Sequence, residues 1–197
     1  MNRQELKARS WAQVKSKIGM LFLVSIIIAL ISTAASFVLN FIPVVGTVIA
    51  TFIVLPAFTL STMRLFLNVI AGGEPEAKDA FYGFEDFWAA VKVNFFVSLY
   101  TFLWSLLFVI PGIVKCFSYS MAWYILAENK GKSAHECIEE SKRMTNGHKM
   151  ELFVLGLSFI GWILLGYVTC GIAYIWVYPY IQATFANAYQ SLKPIEL

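Results

Sequence analysis

Acidic residues and histidines are missing from every long apolar stretch of this 197-residue chain, and charge of either sign is scarce: 14% of residues are Asp, Glu, Lys or Arg, against about 25% in an ordinary soluble domain. A titratable group held at depth in lipid is costly and is kept where it works, so the lack of carboxylates and imidazoles disfavours an intramembrane hydrolase or a carboxylate-driven antiporter. Cysteine is equally sparse. Cys116, Cys137 and Cys170 are odd in number and form neither a Cys-x-x-Cys nor a Cys/His ligand pattern, which argues against a disulfide scaffold and a zinc site. No Gly-x-Ser-x-Gly, His-Glu-x-x-His or phosphate-cradling glycine loop occurs. A net charge of +3 is no footprint for nucleic acid. We therefore assign no catalytic residue, no cofactor and no metal.

What is abundant is apolar surface. Apolar residues make up 59% of the chain and aromatics 16%, whereas a soluble domain is about 45–50% apolar. Three nearly uncharged blocks stand out: Ile18 to Met63, Val93 to Ala127 (interrupted by Lys115) and Leu152 to Leu192. One helical crossing needs about 20 residues, so each block is two crossings long. Each carries a breaker near its middle: Pro43 and Gly46, Pro111 and Gly112, and Gly171. The reading is an all-α membrane protein of six transmembrane helices, at 18–39, 44–66, 93–110, 111–127, 152–170 and 172–192. They form three hairpins (18–66, 93–127, 152–192) in one polytopic domain, with loops at 67–92 and 128–151. The first block is too long for a signal-peptide core of about 7–15 residues and reads as spanning structure. Strands of a barrel would alternate apolar and polar residues, which these blocks do not.

Of the 15 basic residues, 14 lie outside the blocks, in the N-terminal segment, the two long loops and Lys193. The positive-inside rule puts both termini and both loops in the cytoplasm of a bacterial cell membrane. A threefold internal repeat is also legible. Trp11-Ala-Gln-Val-Lys15 stands before the first hairpin and Trp88-Ala-Ala-Val-Lys92 before the second. Lys149 leads into a similar aliphatic run, and Pro56 with Thr59 matches Pro179 with Thr184. Chance likeness between apolar spans is the alternative. Each unit would be a cytoplasmic amphipathic element followed by a hairpin.

The amphipathic elements are Ala77 to Val91, whose Phe81, Phe84 and Trp88 form an aromatic stripe facing the bilayer, and a helix after Ser133. Ser133 with Glu136 forms a capping box there, and Ala134, Cys137, Ile138 and Met144 make an apolar face. Glu139 is spaced to pair with Arg143, and Asn146-Gly147 supplies the stop. These elements brace the spans in one reading; in the other, Glu136, Glu139, Glu140 and Arg143 form a partner surface. In the first span Ser25, Ala29 and Thr33 make a small-residue face for close helix approach.

Lys115 is the one charge within a block. It either snorkels to the headgroups on the outer side or, if the Pro111-Gly112 break is re-entrant, faces a cavity. Pro56 and Pro179 interrupt spans, and Tyr178, Tyr180 and Gln182 around Pro179 either line a polar site or pack a kinked helix. With Tyr119, these residues are the candidate ligand contacts. His148 beside Lys149 reads as a headgroup contact.

Leu103-Trp104 before Ile110-Pro-Gly-Ile113, Tyr119-Ser-Met121, Ser141, Gly147, Ser158-Phe-Ile-Gly-Trp162, Pro179-Tyr180 and Tyr189 together resemble the bacterial integral membrane proteins grouped as domain-of-unknown-function family nine-seven-five. The resemblance covers nearly the whole chain and implies a multi-pass bacterial membrane protein without an assigned activity. It also implies a distant likeness to the membrane-embedded part of certain glycerophosphodiester phosphodiesterases, which carries no catalytic residue onto this sequence. The expected function is non-enzymatic handling or sensing of amphiphiles or small solutes, as a transport or tolerance component. A membrane interaction module anchoring a partner protein is the second reading, and a lipid-modifying enzyme using His148 the third. Expected partners are membrane lipids, an amphiphilic ligand or a membrane protein, and further copies of the chain, but not nucleic acid.

Overall fold

The structure, a computed structural model, describes residues 3–39, 41, 45–107, 109–169 and 171–193, excepting the side chains of 107, 109–111 and 113. Pro43 and Cys170 lie outside the described residues. The chain is 84% helical, with no strand among the described residues. Its α-helices are α1 (Arg3–Lys15), α2 (Ile18–Leu39), α3 (Val45–Ile49), α4 (Leu55–Ile70), α5 (Phe87–Leu107), α6 (Val109–Tyr119), α7 (Ala122–Glu128), α8 (Ala134–Thr145), α9 (Lys149–Leu157), α10 (Ile160–Val168) and α11 (Tyr174–Leu192). A π-helical turn, Ala50–Val54, joins α3 to α4, and a 3-10 helix, Ala77–Phe84, precedes α5.

Among the described residues, four segments are long and apolar enough to cross a membrane: Ile18–Leu39, Val45–Ile70, Phe87–Leu106 and Lys149–Val168. Their outward faces are apolar and bare. Phe37 is 68% exposed, Leu106 74% and Val168 80%, which in water would be a large aggregation-prone surface and in lipid is an ordinary one. The sequence reading had six crossings; the other two fall short for identifiable reasons. The second half of block two is broken into α6 and α7 around Ser120 and Met121, and α11, though 19 residues long, carries Gln182, Thr184, Asn187, Gln190 and Ser191.

Breaks also differ from the sequence reading in detail. The hairpin between α5 and α6 turns after Leu107, not at Pro111-Gly112; both residues lie in the first turns of α6, where a proline's missing N–H would have no intrahelical partner anyway. Gly112 instead marks close approach: a Cβ there would sit 2.9 Å from the Ser105 Cα. Gly46 lies inside α3 rather than at a break. Pro56 sits at the start of α4, and the wide π turn before it accommodates the lost hydrogen bond. Pro179 leaves α11 continuous. Gly171, with φ of 91°, makes the third hairpin's turn, and Gly147, with φ of 85°, ends α8.

Inside, α4, α7 and α11 are the most enclosed helices, and they meet around Phe66, Tyr124 and Tyr189, all buried. Tyr124 stacks on Tyr189 with centroids 5.4 Å apart, and α4 packs on both α7 and α11. The small-residue face expected on α2 is not its packing face. Leu21, Val24 and Ile28 are buried, whereas Ala29 and Thr33 remain exposed and Ser25 edges a groove with Tyr174 and Tyr178.

Candidate functional site

Polar clips fasten the short elements that the sequence reading placed in the cytoplasm to α11, α4 and α6. The Asn187 amide on α11 donates to Ser10 Oγ at 3.0 Å and to Gln13 Oε1 at 2.6 Å on α1. The Gly83 N–H of the 3-10 helix donates to Ser61 Oγ of α4 at 2.9 Å, and Ser141 of α8 donates to the Ser118 carbonyl of α6 at 2.8 Å. Each lies in buried surroundings, where an unmade hydrogen bond costs about 1–3 kcal/mol. Lacking a Cβ, Gly83 approaches the Ala57 carbonyl of α4, and its neighbours Phe81, Phe84 and Trp88 are exposed on the outside.

At one end of the enclosed helices, Glu128 accepts from the Tyr189 hydroxyl at 2.5 Å and from Lys193 Nζ at 2.6 Å. Burial pushes this carboxyl up, but the hydrogen bonds from Lys193 and Tyr189 outweigh it and hold Glu128 below its usual range. Beside it, Arg64 and Tyr82 both donate to the Ala127 carbonyl at 3.3 Å. This hub ties α4, α7, α11 and the 3-10 helix together.

The candidate ligand contacts divide among separate places. Lys115 stacks over the Trp104 ring of α5, 4.4 Å from its centroid. Tyr119 is buried beside Tyr100, with Lys142 5.8 Å from its ring centroid. Tyr178 interacts with Gln182 and with Thr62 of α4, and lies edge-on to Phe66. Tyr180, two residues on, faces α1 and α10 instead, edge-on to Trp11, Phe159 and Trp162 at 5.4–6.2 Å. A helix turns about 200° in two residues, so Tyr178 and Tyr180 cannot serve one site.

The apolar face of α8 is committed to the fold, while the candidate partner residues Glu136, Glu139 and Arg143 are exposed and Glu140 is half-buried. Ala134, Cys137, Ile138, Ser141, Met144 and Thr145 are buried, and α8 packs on α5, α6 and α7. Glu136 closes the capping box with Ser133, Glu139 pairs with Lys142 at 2.6 Å rather than with Arg143, and Glu140 pairs with Lys132 at 2.5 Å. Arg143 and Glu140 edge a polar cleft of about 500 Å³ with Asn146, His148 and Ser191. His148 itself meets Glu151 at 3.0 Å. Among the described residues no three His, Cys, Asp or Glu side chains lie together as metal ligands would.

An apolar cleft joins residues that sequence reasoning kept apart. About 330 Å³ in volume, it is lined by Lys7, Ala8 and Trp11 of α1, Trp162 of α10, and Trp176, Val177 and Tyr180 of α11. Lys7 Nζ lies 4.2 Å over the Phe159 ring and donates to the Ser158 carbonyl at 3.3 Å. Burial, then repulsion from Arg3, lowers the Lys7 ammonium from its usual value. The exposed side of α1 is polar, with Arg3 and Arg9, whereas α10 exposes Ile160 and Leu164. The cleft thus straddles a polar and an apolar surface. The one clue in the sequence was Lys7 and Trp11 four residues apart, which share a helix face.

These features define a class: all-helical proteins with several membrane-length apolar helices, braced by short polar-faced elements. The model of the family described as protein of unknown function (DUF975) matches residues 1–118 and 109–196. The chain belongs to that family. No curated protein and no solved structure was found to match it.

Proposed function

We propose that the chain is a non-enzymatic amphiphile-binding protein of a bacterial cell membrane, a transport or tolerance component, built as six crossings from three copies of one unit with both termini in the cytoplasm. The observation that carries the function is the aromatic cleft at the polar-apolar boundary of α1, α10 and α11, within the size range of about 300–1,000 Å³ usual for small-molecule sites. An amphiphile has the same division of chemistry as the cleft walls.

The threefold reading is supported by a cyclic order of contacts. The element before hairpin one, α1, sits on α11 of hairpin three; the 3-10 helix before hairpin two sits on α4 of hairpin one; α8, before hairpin three, sits on α6 and α7 of hairpin two. Each contact has its own polar clip, described above. Six crossings follow if α6–α7 and α11 also traverse the bilayer. Enclosed helices touch neighbours rather than lipid, so they tolerate the interruption and the polar residues that outer helices do not. Maleimide labelling of single cysteines at Lys142→Cys and Lys193→Cys from the inside only, in intact cells, is the expected topology result; labelling from outside refutes it.

Binding is tested with the full chain reconstituted in vesicles, by quenching of tryptophan fluorescence with phosphatidylcholine brominated on its acyl chains. The Trp88→Phe, Trp104→Phe and Trp123→Phe triple variant leaves Trp11, Trp162 and Trp176 as reporters. Saturable quenching, weakened by Tyr180→Ala, supports the cleft; quenching that rises only in proportion to bulk lipid refutes it.

A further inference from the structure

We propose that the cleft selects amphiphiles with an anionic headgroup, specifically an acidic glycerophospholipid of the surrounding leaflet, with the Lys7 ammonium taking the headgroup phosphate and Trp162, Trp176 and Tyr180 holding the first part of an acyl chain. The inference rests on the amphiphile reading and goes beyond it by fixing the charge and source of the ligand.

Three observations carry it. Lys7 is the one charged side chain lining the cleft. Its contacts among the described residues are a backbone carbonyl, an aromatic ring and, at longer range, the like charge of Arg3, with no carboxylate in an ion pair. Elsewhere Lys17 pairs with Glu74, Lys78 with Glu76, Lys130 with Glu85, Lys132 with Glu140 and Lys142 with Glu139; Lys15, Lys92 and Lys149, like Lys7, are in no ion pair among the described residues, but Lys15 and Lys92 are exposed to water. Lys7 is therefore a partly buried cation whose counter-charge the described fold does not supply, and Arg3, one turn earlier on α1, adds to the deficit. Trp162, Trp176 and Trp11 are each close to half exposed, so the apolar wall opens sideways rather than into the protein interior. A ligand arriving there slides in along the membrane. Tryptophan indoles and a lysine at such a boundary match a lipid's glycerol region and phosphate. A cationic or quaternary-ammonium amphiphile would meet Lys7 and Arg3 head-on.

The test uses the same triple tryptophan background in phosphatidylcholine vesicles, titrated with brominated phosphatidylglycerol, brominated phosphatidylcholine or brominated stearate. One basic residue against an anionic lipid is worth about fivefold in affinity. Brominated phosphatidylglycerol is expected to half-saturate the quenching at about one-fifth of the mole fraction that phosphatidylcholine needs. Lys7→Gln should erase the difference, and Lys7→Arg should keep it, which separates loss of charge from loss of fold. Saturable but equal quenching by the two phospholipids overturns the headgroup assignment while leaving the cleft reading intact. Absence of saturable quenching by any of the three overturns the cleft reading itself. Stearate competing better than phosphatidylglycerol overturns the leaflet lipid as the source.

Discussion

Replacing Gly83 by alanine tests the close contact between the 3-10 helix and an enclosed helix. The added Cβ would stand 1.8 Å from the Ala57 carbonyl oxygen, 2.7 Å from its carbon and 3.0 Å from the Ala57 Cα. All three are backbone atoms of α4, so no rotamer change relieves the clash, and the 3-10 helix must withdraw by about 1.5 Å to restore ordinary contact. Withdrawal stretches the 2.9 Å hydrogen bond from the Gly83 N–H to Ser61 beyond use. Overpacking of this kind costs about 1–3 kcal/mol and the buried hydrogen bond about 1 kcal/mol more, together about 2–4 kcal/mol. For a chain of this size that is a fall in Tm of about 5–15 °C, read by thermal unfolding of the purified protein in detergent. Two further glycines calibrate the scale. Gly112→Ala meets Ser105, whose hydroxyl can rotate away although its Cα at 2.9 Å cannot, and should fall between. Gly161→Ala meets nothing within 4 Å and should be neutral or slightly stabilising through helix propensity. A Gly83→Ala protein melting within a degree of the parent, or below which Gly161→Ala melts, would refute the close packing of the 3-10 helix on α4.

The hub at Glu128 predicts a pH dependence. Its carboxyl is held below its unfolded value, so its contribution is present above about pH 4.3 and is lost as pH falls through the lower folded value. Melting between pH 6 and 3 should therefore show a steeper acid loss for the parent than for Glu128→Gln, and parallel curves would count against the hub. At neutral pH, Glu128→Gln and Tyr189→Phe should each cost about 1–2 kcal/mol, with the double variant costing less than their sum because both remove one bond. Cys137 is buried and its thiol is pushed up to about 11, so at pH 8 about one molecule in a thousand carries the reactive thiolate. In a Cys116→Ser, Cys170→Ser background, N-ethylmaleimide should modify Cys137 only after denaturation; rapid labelling of the folded protein would mean that α8 is undocked. Ser141→Ala should lower stability by about 1 kcal/mol through loss of its bond to the Ser118 carbonyl, measurable in the same melting assay.

The long apolar helices were legible because a bilayer imposes a strong rule on a crossing segment: an outer face that is apolar and free of charge. Ile18 to Leu39 obeys it throughout and the next long helix from Val93 on, and the structure has helices there, although α5 starts earlier, at Phe87, and takes in the exposed Lys92. Turn chemistry was legible where a glycine must adopt positive φ, at Gly147 and Gly171, and the Ser133 capping box was legible from spacing alone. What was not legible followed from partners distant in the chain. Nothing in the local pattern marks Gly83 as a contact; only the approach of Ala57 reveals it. Ser25, Ala29 and Thr33 read as a packing stripe, but the larger Leu21, Val24 and Ile28 are what α2 buries. Tyr178 and Tyr180 read as one cluster because they are neighbours in sequence, whereas helical rotation sends one toward α4 and the other toward α1. The aromatic cleft needs residues 7 and 176 side by side, a separation no local pattern encodes.

Where the three enclosed helices meet, the structure is full. Phe66, Tyr124 and Tyr189 occupy the space between α4, α7 and α11, and the Glu128 hub closes one end with two charge-assisted hydrogen bonds. Opening a conduit along that axis would cost the burial of three aromatic side chains, about 1.5–3 kcal/mol for each, as well as the hub. The peripheral cleft requires no such rearrangement, because Trp11, Trp162 and Trp176 are already partly exposed. A ligand that enters from the side must come from the same phase as those side chains. On the proposed amphiphile reading that restricts it to molecules that partition into a membrane, and the Lys7 ammonium then favours those among them that carry negative charge at one end.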